Sequence, residues 1–327
     1  MSRIQKYKES LHKFIKDKSC LMENSNEYYM QLNNLVYNKI KNNDLMYPIL
    51  LLTIMNNQNK KNHISMQGYF IASSIEFLCI LIEVIENKSD IVSKLGNDSY
   101  NKITNMLIIN ANKSLQQNME SVKNPYQNNP QLLVNIMINS MAVLNSTLKL
   151  INTFDDFKFI TTDQNCNSDI INWYLKTDKE LINKFKSFKQ VSKESMQEYI
   201  EKKHISMCEL SIVLGWIIGG GNIKALNKFK KSAKYFATMH KISKDFENLT
   251  SDIKSSNGHT SNYVLNYGLQ DSYEIFLSNK EKFIEESMIE DVYTNTIKEI
   301  IDTIEDNVDM IIEQTSPDLK SNYSSKK

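Results

Sequence analysis

The sequence predicts an all-α protein, and three observations favour this class. The 327 residues include only 8 glycines and 4 prolines, the residues that usually supply the tight turns of sheet-rich folds. Apolar residues recur at helical spacing along most of the chain, as in Leu32, Val36 and Ile40. Hydrophobic residues make up 41% and charged residues 24%, which excludes a mostly disordered chain. We expect one helical domain over residues 1–315 and a disordered tail at 316–327.

Apolar periodicity and polar breaks divide the chain into successive helices. Pro48 falls in the first turn of the third helix, where its missing N–H costs nothing. The fourth helix, residues 64–87, is apolar around most of its circumference, which is typical of a central helix. Gly215 lies inside another apolar helix and indicates close helix packing there. The predicted helices span residues 3–19, 26–41, 46–56, 64–87, 99–121, 131–153, 171–186, 191–219, 222–250, 262–282 and 287–314.

Polar and glycine-rich segments separate these helices. Residues 122–130 contain two prolines and are expected to form a loop, as is the polar stretch 154–170. The glycine triplet at 219–221 is interpreted as a helix stop and turn. It is not a phosphate-binding loop, because it lacks the GxxxxGK[ST] pattern and follows no strand.

Charge, cysteine usage and hydropathy exclude several classes of protein. Lys+Arg 39 against Asp+Glu 38 gives a net charge of +1, so no basic field exists to hold nucleic acid or an anionic membrane. The four cysteines form no CxxC pair, which predicts reduced thiols rather than a zinc site or a disulfide framework. No apolar run approaches the ~18 residues that span a bilayer, and the charged N-terminus lacks an apolar signal region. We expect a cytoplasmic protein with no transmembrane segment and no nucleic-acid partner.

A cluster of carboxylates ends the fourth helix. Glu86 and Asp90 are four residues apart and Glu83 is one turn earlier, so this spacing places all three on one helical face. Oxygen ligands arranged in this way could hold Mg²⁺. Because they end a buried helix, they would lie at the mouth of whatever the bundle encloses. The alternative is a solvated helix end without a ligand.

A second acidic cluster lies near residue 250. Asp245, Asn248 and Asp252 share a helical face at positions i, i+3 and i+7. Lys244 adds a positive charge that would compete with a divalent ion, since two charges ~4 Å apart interact by about 4 kcal/mol at an effective dielectric near 20. The alternative is a salt-bridged helix surface. The five histidines show no HxxxH spacing and are interpreted as surface or core residues.

Several short segments occur in a characteristic order. Glu76 precedes the segment Glu86-Asn87-Lys88-Ser89-Asp90 by ten residues. Lys203-His204 then precedes Leu214-Gly215, and the segments 240–248 and 262–270 follow. From about residue 40 to about residue 285 this order resembles the trans-isoprenyl diphosphate synthases (polyprenyl synthetases). The segments match that family's first DDxxD motif with its preceding Glu, the KT motif with its apolar helix, the FQxxDDxxD motif and a later helix start.

The resemblance implies an isoprenoid-synthase fold, a single large helical bundle around a central cavity that usually forms a homodimer. In active members two Asp-rich motifs hold about three Mg²⁺ ions on an allylic diphosphate, whose ionisation produces the carbocation. By position, the metal ligands here would be Glu86, Asp90, Asp245 and Asn248. Lys203 at the KT motif and Lys94 near the family's RRG motif would bind diphosphate.

The chain also departs from the family pattern. Asn87 stands at an aspartate position of the first motif, and the second motif keeps only Asp245, with Lys244 and Asn248 at the other aspartate positions. Residues 44–47 lack the basic side chains that bind isopentenyl diphosphate in the family. Losing most of both metal sites and the second diphosphate site together should cost many powers of ten in rate, at ~1.4 kcal/mol per tenfold.

We therefore expect a non-catalytic homologue: a pseudoenzyme, regulatory subunit or structural protein that needs no cofactor. Its implied partners are a second copy or an active synthase, and its implied ligand is a prenyl diphosphate.

The alternative is a Mg²⁺-dependent prenyltransferase or terpene-synthase-like enzyme. In that case Glu86 and Asp90 would hold one Mg²⁺, and Asp245, Asn248 and Asp252 would form a second ligand set. A third class, a helical interaction scaffold unrelated to prenyl chemistry, would be favoured if large side chains filled the cavity.

Overall fold

The computed structural model describes residues 2–18, 27–61, 68–122 and 130–315. Helices dominate these residues, so the predicted all-α class is confirmed. The predicted disordered tail at 316–327 and most of the predicted loop before Pro130 lie outside the described residues. The α-helices are α1 (Arg3–Lys18), α2 (Glu27–Asn42), α3 (Met46–Lys61), α4 (Tyr69–Glu86), α5 (Lys88–Leu95), α6 (Asn97–Val122), α7 (Pro130–Asn152), α8 (Lys179–Lys186), α9 (Lys193–Ile200), α10 (Ser206–Ile218), α11 (Phe229–Glu247), α12 (Leu249–Ser255), α13 (Tyr263–Tyr267), α14 (Leu269–Ile289) and α15 (Asn295–Thr315).

The described residues divide into two compact units. The first lies within Met1–Asp156, Ser206–Lys230 and Thr294–Ile297, and the second within Phe157–Ile205, Lys231–Tyr293 and Lys298–Lys327. The prediction of one domain over residues 1–315 stays a prediction.

The first unit is built around α4. Its side chains from Ile71 to Leu78 are all buried, and the helix contacts α6, α3 and α10, so the predicted central helix is confirmed. Helix α10 packs on α3 at Gly215, where a Cβ atom would lie 2.6 Å from the carbonyl oxygen of Leu51. The close helix packing predicted at this glycine is therefore also confirmed.

The second unit contains a short antiparallel strand pair. Strand β1 (Thr161–Asn165) pairs with β2 (Lys189–Val191), with Thr161 opposite Val191 and Asn165 opposite Lys189. The sequence predicted a loop over 154–170, and this was wrong for residues 161–165. Strand β1 is polar and mostly exposed, so its pairing depends on backbone hydrogen bonds that hydrophobic alternation could not reveal.

Several long predicted helices are interrupted in the structure. The predicted helix 191–219 is α9, a π-helical turn (Glu201–Ile205) and α10. A 3-10 helix (Ile223–Lys228) precedes α11, and α13 and α14 are separated at Gly268, whose φ of 97° lies in the left-handed region that favours glycine. Asn248 likewise separates α11 from α12. Apolar periodicity continues through such breaks, which explains why the sequence merged these helices.

Helix α7 carries an unusually apolar stretch. By length and mean hydropathy (1.2) residues 134–152 could cross a membrane, and 28% of the stretch is buried. One such helix is weak support for a membrane span, because helices of soluble proteins reach the same hydropathy. The expected absence of a transmembrane segment stays a prediction.

Candidate functional site

The first acidic motif lies at the junction of α4 and α5. Helix α4 ends at Glu86, Asn87 (φ −96°, ψ 21°) lies between the helices, and Asp90 is in the first turn of α5. Glu86 and Asp90 are both exposed. The spacing had placed them on one continuous helix, but the break at Asn87 puts them on two.

A predicted metal ligand and a predicted diphosphate ligand of this motif form an ion pair with each other. The ammonium of Lys94, the predicted diphosphate ligand, lies 2.9 Å from the carboxylate of Asp90, a predicted metal ligand. Their side chains are 69% and 59% exposed, so the pair is worth about 0–1 kcal/mol and a ligand could separate it. Glu83, one turn before Glu86, instead pairs with Lys39 on α2 at 3.3 Å.

Glu76 is a buried carboxylic acid on α4. Its side chain is 2% exposed, and its Oε1 accepts a hydrogen bond of 2.7 Å from the amide of Asn43. Burial raises the pKa of Glu76 to about 8, the Asn43 hydrogen bond lowers it in part, and the charges of Glu83 and Asp44 raise it further. Glu76 is therefore mostly protonated at neutral pH.

The second acidic motif is buried where it keeps its aspartate. Asp245 is 3% exposed on α11, and both of its carboxylate oxygens are engaged. Oδ1 accepts a hydrogen bond from the ammonium of Lys241, one turn earlier, and Oδ2 accepts one of 2.7 Å from the backbone N–H of Tyr263. Burial raises the pKa of Asp245 to about 6, although the charge and hydrogen bond of Lys241 lower it.

Lys241 is the cation that pairs with Asp245. Lys241 is 5% exposed and also donates a hydrogen bond of 3.1 Å to the carbonyl oxygen of Ser261. Lys244 pairs with Glu247 at 2.8 Å on the same helix. The i,i+4 spacing of Lys241 directs its side chain to Asp245. That Lys244 would compete with a divalent ion for the carboxylates of this cluster stays a prediction.

Asn262 binds Asp252, the other acidic residue of the second motif, through a hydrogen bond. Its fully buried amide donates hydrogen bonds to the backbone oxygen of Asp245 (2.9 Å) and to the carboxylate of Asp252 (2.7 Å). Asn248 lies at the junction of α11 and α12 with an exposed side chain. The predicted ligand set is therefore divided between the buried carboxylate of Asp245, the half-buried carboxylate of Asp252 and the exposed amide of Asn248.

Lys203, the other predicted diphosphate ligand, lies in the π-helical turn after α9. Its ammonium donates a hydrogen bond of 2.9 Å to the hydroxyl of Tyr199 and lies 5.3 Å from the centre of that ring. The ammonium of Lys241 lies 5.7 Å from the same ring, which is buried (2% exposed). Phe159 also contacts Tyr199, with ring centres 5.0 Å apart. Lys203 is thus held against an aromatic cluster by cation–π and hydrogen-bond contacts.

The structure brings together fewer of the predicted metal ligands than the sequence suggested. Among residues 2–18, 27–61, 68–122 and 130–315, no group of three or more His, Cys, Asp or Glu side chains is arranged to hold a metal ion. The acidic residues of the first motif belong to one compact unit and those of the second to the other. That the two sets share one site stays a prediction.

Sequence reasoning missed two residues that organise the second motif. Lys241 stands at the Gln position of the FQxxDDxxD pattern, and its i,i+4 spacing to Asp245 is a recognisable ion-pair signal. Asn266 is fully buried and accepts a hydrogen bond of 2.7 Å from the backbone N–H of Val191. Its bond to β2 carries no such signal, because Val191 lies 75 residues earlier in the sequence.

Comparison with known proteins identifies the fold. No protein-family model and no curated protein sequence matches the chain. Among solved structures, an FPP/GFPP synthase from Zymomonas mobilis matches 93% of this chain and 97% of its own, at 10% identity and a TM-score of 0.57. A geranyltransferase from Helicobacter pylori matches 93% and 99%, at 12% identity and a TM-score of 0.61. The same enzyme complexed with magnesium and isoprenyl diphosphate matches 96% and 97%, at 13% identity and a TM-score of 0.53.

The chain therefore has the all-α isoprenoid-synthase fold of the trans-isoprenyl diphosphate synthases. The resemblance inferred from the order of the sequence motifs is confirmed at the level of the fold, and the identities of 10% to 13% make the chain a divergent example of it.

Proposed function

We propose that this protein is a non-catalytic relative of the isoprenyl diphosphate synthases that acts as a regulatory or structural partner. The observation that carries the proposal is the ion pair between Lys241 and Asp245. Asp245 is the aspartate that the second motif retains, and its carboxylate already has two hydrogen-bond donors, one of which is the ammonium of Lys241. A metal ion would have to compete with this ammonium for the carboxylate of Asp245.

Electrostatics support this proposal. A Mg²⁺ ion bound to Asp245 would lie close to the ammonium of Lys241, which is buried and cannot swing into solvent without leaving Asp245. Each pair of like unit charges ~4 Å apart costs about 4 kcal/mol at an effective dielectric near 20. The residues of the second motif therefore do not fit a magnesium site.

An elongation assay tests the absence of catalysis. The protein is incubated with Mg²⁺, isopentenyl diphosphate and allylic diphosphates of several lengths, and the products are measured by mass spectrometry. We expect no elongated product above the level of a heat-inactivated control. Sustained elongation would overturn the proposal.

A gain-of-binding variant tests the role of Lys241 directly. The triple variant Lys241→Gln, Lys244→Asp, Asn248→Asp restores the residue types of the FQxxDDxxD pattern at these positions. We expect calorimetry with Mg²⁺ and inorganic diphosphate to detect metal-dependent binding in the triple variant and none at this motif in the wild type. Lys244→Asp and Asn248→Asp without the change at Lys241 is the control, and it should stay unable to bind. Equal binding by the control would show that Lys241 is not the obstacle.

The enzyme alternative is a Mg²⁺-dependent prenyltransferase, and the first motif favours it. Glu86 and Asp90 are exposed, and the pair between Asp90 and Lys94 is weak enough for a metal–diphosphate ligand to separate it. The geranyltransferase with the same fold is known as a complex with magnesium and isoprenyl diphosphate. Under this alternative, Mg²⁺-dependent binding of a prenyl diphosphate would be lost in Glu86→Ala and retained in Glu198→Ala, which changes an exposed carboxylate outside the motif.

We also propose that α6 and α7 form the surface that meets a second copy or an active synthase. Large apolar side chains are exposed on these helices: Ile109 (53%), Val134 (45%), Ile138 (61%) and Met141 (39%). Ile138→Glu should shift the protein toward the monomer in analytical ultracentrifugation. Met310→Glu changes an equally exposed residue on α15 (53%) and should not. A cytoplasmic location is part of the same proposal.

A further inference from the structure

A groove of about 360 Å³ lies between α7 and α10 in the first unit. Residues of the 3-10 helix Ile223–Lys228 and the start of α11 also line it. Its walls are mainly aliphatic, with Val143 and Leu150 from α7, Leu210 and Val213 from α10, and Leu226 from the 3-10 helix. This volume is at the small end of the range of small-molecule sites, roughly 300–1,000 Å³.

Glu209 is the carboxylate of this groove. It lies on α10 next to Leu210, is half-buried, and makes no hydrogen bond or ion pair with any described residue. Burial raises its pKa, and the nearby charge of Lys230 lowers it in part. A carboxylate that has lost part of its water without gaining a donor carries a desolvation penalty, which a ligand with a hydrogen-bond donor would relieve.

The hydroxyl groups of the groove also present acceptors. Ser146 donates its hydroxyl hydrogen to the backbone oxygen of Ala142 (2.9 Å), and Thr147 donates to that of Val143 (3.2 Å). Each hydroxyl has one hydrogen, so the oxygen atoms of Ser146 and Thr147 can offer only lone pairs to a ligand. Together with Glu209 they favour a ligand that donates hydrogen bonds.

Lys230 is the other charged residue of the groove. Its side chain is exposed, and no ion pair links it to Glu209. A fully solvated ammonium interacts weakly with ligands at a surface, by about 0–1 kcal/mol, whereas the half-buried carboxylate is screened less. Glu209 is therefore the stronger anchor, and the charge it selects is positive.

Association through the apolar surface of α6 and α7 would leave the groove open. On α7, Val134, Ile138 and Met141 repeat at spacings of four and three residues, and so do Val143, Thr147 and Leu150. The second set begins nine residues after the first, which is ~2.5 turns at 3.6 residues per turn, so it lies on the opposite face.

We propose that the groove between α7 and α10 binds a primary amine that carries an alkyl chain. The ammonium donates hydrogen bonds to the carboxylate of Glu209, and the chain lies against Val143, Leu210 and Val213. This site is independent of the acidic motifs and of the proposed function.

Titration calorimetry with three eight-carbon probes tests the proposal: octylamine, octanol and octanoate, each below its aggregation concentration. We expect octylamine to bind at least tenfold more tightly than octanol, and octanoate to bind most weakly. Glu209→Gln should reduce the octylamine affinity to about that of octanol. Glu198→Gln, which removes an exposed carboxylate paired with Lys202, is the control and should bind octylamine like the wild type.

A second variant tests the location of the site. Ser146 is exposed on the rim, so Ser146→Trp can fill the groove without disturbing the core, and it should abolish octylamine binding while circular dichroism stays unchanged. Equal affinity for all three probes would mean apolar adsorption only and would overturn the proposal. Tightest binding of octanoate would make Lys230 the anchor and would overturn it equally, as would full octylamine affinity in Glu209→Gln or Ser146→Trp.

Discussion

Lys241 and Asp245 form an ion pair one helical turn apart on α11, with side chains that are 7% and 5% exposed. The ammonium of Lys241 also donates to the carbonyl oxygen of Ser261, and the carboxylate of Asp245 accepts the N–H of Tyr263. The pair therefore links α11 to the segment that leads into α13. A buried ion pair of this kind contributes little net stability by itself, but removing one partner leaves a buried charge uncompensated.

We predict that Lys241→Met strongly destabilises the fold. Asp245 would remain buried without its cation, and breaking a buried pair in this way costs about 3–5 kcal/mol. Urea denaturation followed by circular dichroism measures the free energy of unfolding. Lys244→Met is the matched control, since it breaks the partly exposed pair with Glu247 on the same helix, and we expect a loss of about 1 kcal/mol or less. Equal losses in the two variants would show that burial does not govern the strength of the pair.

The acidic motifs show what sequence spacing could and could not predict. The resemblance to a known family correctly predicted the fold. The spacing of Asp245, Asn248 and Asp252 placed them on one helix, whereas the structure divides them between α11, the junction and α12. Spacing could not show that Asn262, ten residues beyond Asp252, would bind that carboxylate. Hydrogen bonds from a separate segment depend on tertiary structure, so the local periodicity of the sequence cannot predict them.

We predict that Glu76 makes the stability of the protein fall as the pH rises. The ordinary pKa of its carboxyl is 4.5, and burial raises it to about 8 in the folded protein. Between these pH values the folded state keeps a proton that the unfolded state has lost, so a rising pH favours unfolding by up to about 1.4 kcal/mol per pH unit. The contribution is complete below pH 4.5 and is lost as the pH rises through about 8.

The variant Glu76→Gln isolates this effect because it replaces the protonated acid with a neutral group of similar shape. The difference in unfolding free energy between variant and wild type should shift in favour of the variant by about 2 kcal/mol from pH 6.5 to pH 8. Asp245, whose pKa is raised to about 6, is present in both proteins, so its titration cancels from the difference. Urea titrations at four pH values measure the difference, and a pH-independent difference would contradict the raised pKa of Glu76.

We predict that Asn266→Leu removes a hydrogen-bond junction in the second unit. The Asn266 amide donates to the backbone oxygens of Thr260 (2.8 Å) and Asn262 (2.7 Å), and its oxygen accepts the N–H of Val191 on β2. The oxygen of Asn262 keeps the backbone N–H of residue 266 (3.2 Å), whereas the oxygen of Thr260 and the N–H of Val191 lose these bonds. A buried backbone group left without a partner costs about 1–3 kcal/mol, so we expect a loss of at least about 2 kcal/mol in the free energy of unfolding. The control Asn279→Ala removes a local hydrogen bond to Ile275 on α14 and should change stability by about 1 kcal/mol or less.

The fold was more predictable than the breaks within it. The helix from Tyr69 to Glu86 was predictable because its apolar residues are dense and periodic. The close contact at Gly215 was predictable because glycine lowers the helix propensity, so a glycine inside an apolar helix indicates that a neighbouring helix packs closely there. The strand pair of β1 and β2 was not, since five polar residues pair through their backbone with a segment 24 or more residues later. Packing leaves a pattern in the sequence, whereas backbone pairing between distant segments does not.

We predict that Gly215→Ala destabilises the protein although alanine is the better helix former. In an exposed helix the change would add about 1 kcal/mol of stability. Here the new Cβ atom would lie 2.6 Å from the backbone oxygen of Leu51 and 3.3 Å from the Cβ atom of Ile54, so α10 must move away from α3. Overpacking of this kind costs about 1–3 kcal/mol, which should exceed the gain in helix propensity.

Ser146→Ala on the exposed face of α7 is the control, because it improves helix propensity without a new contact and should leave the melting temperature unchanged or slightly higher. A higher melting temperature for Gly215→Ala in differential scanning calorimetry would mean that the two helices are not held at this separation.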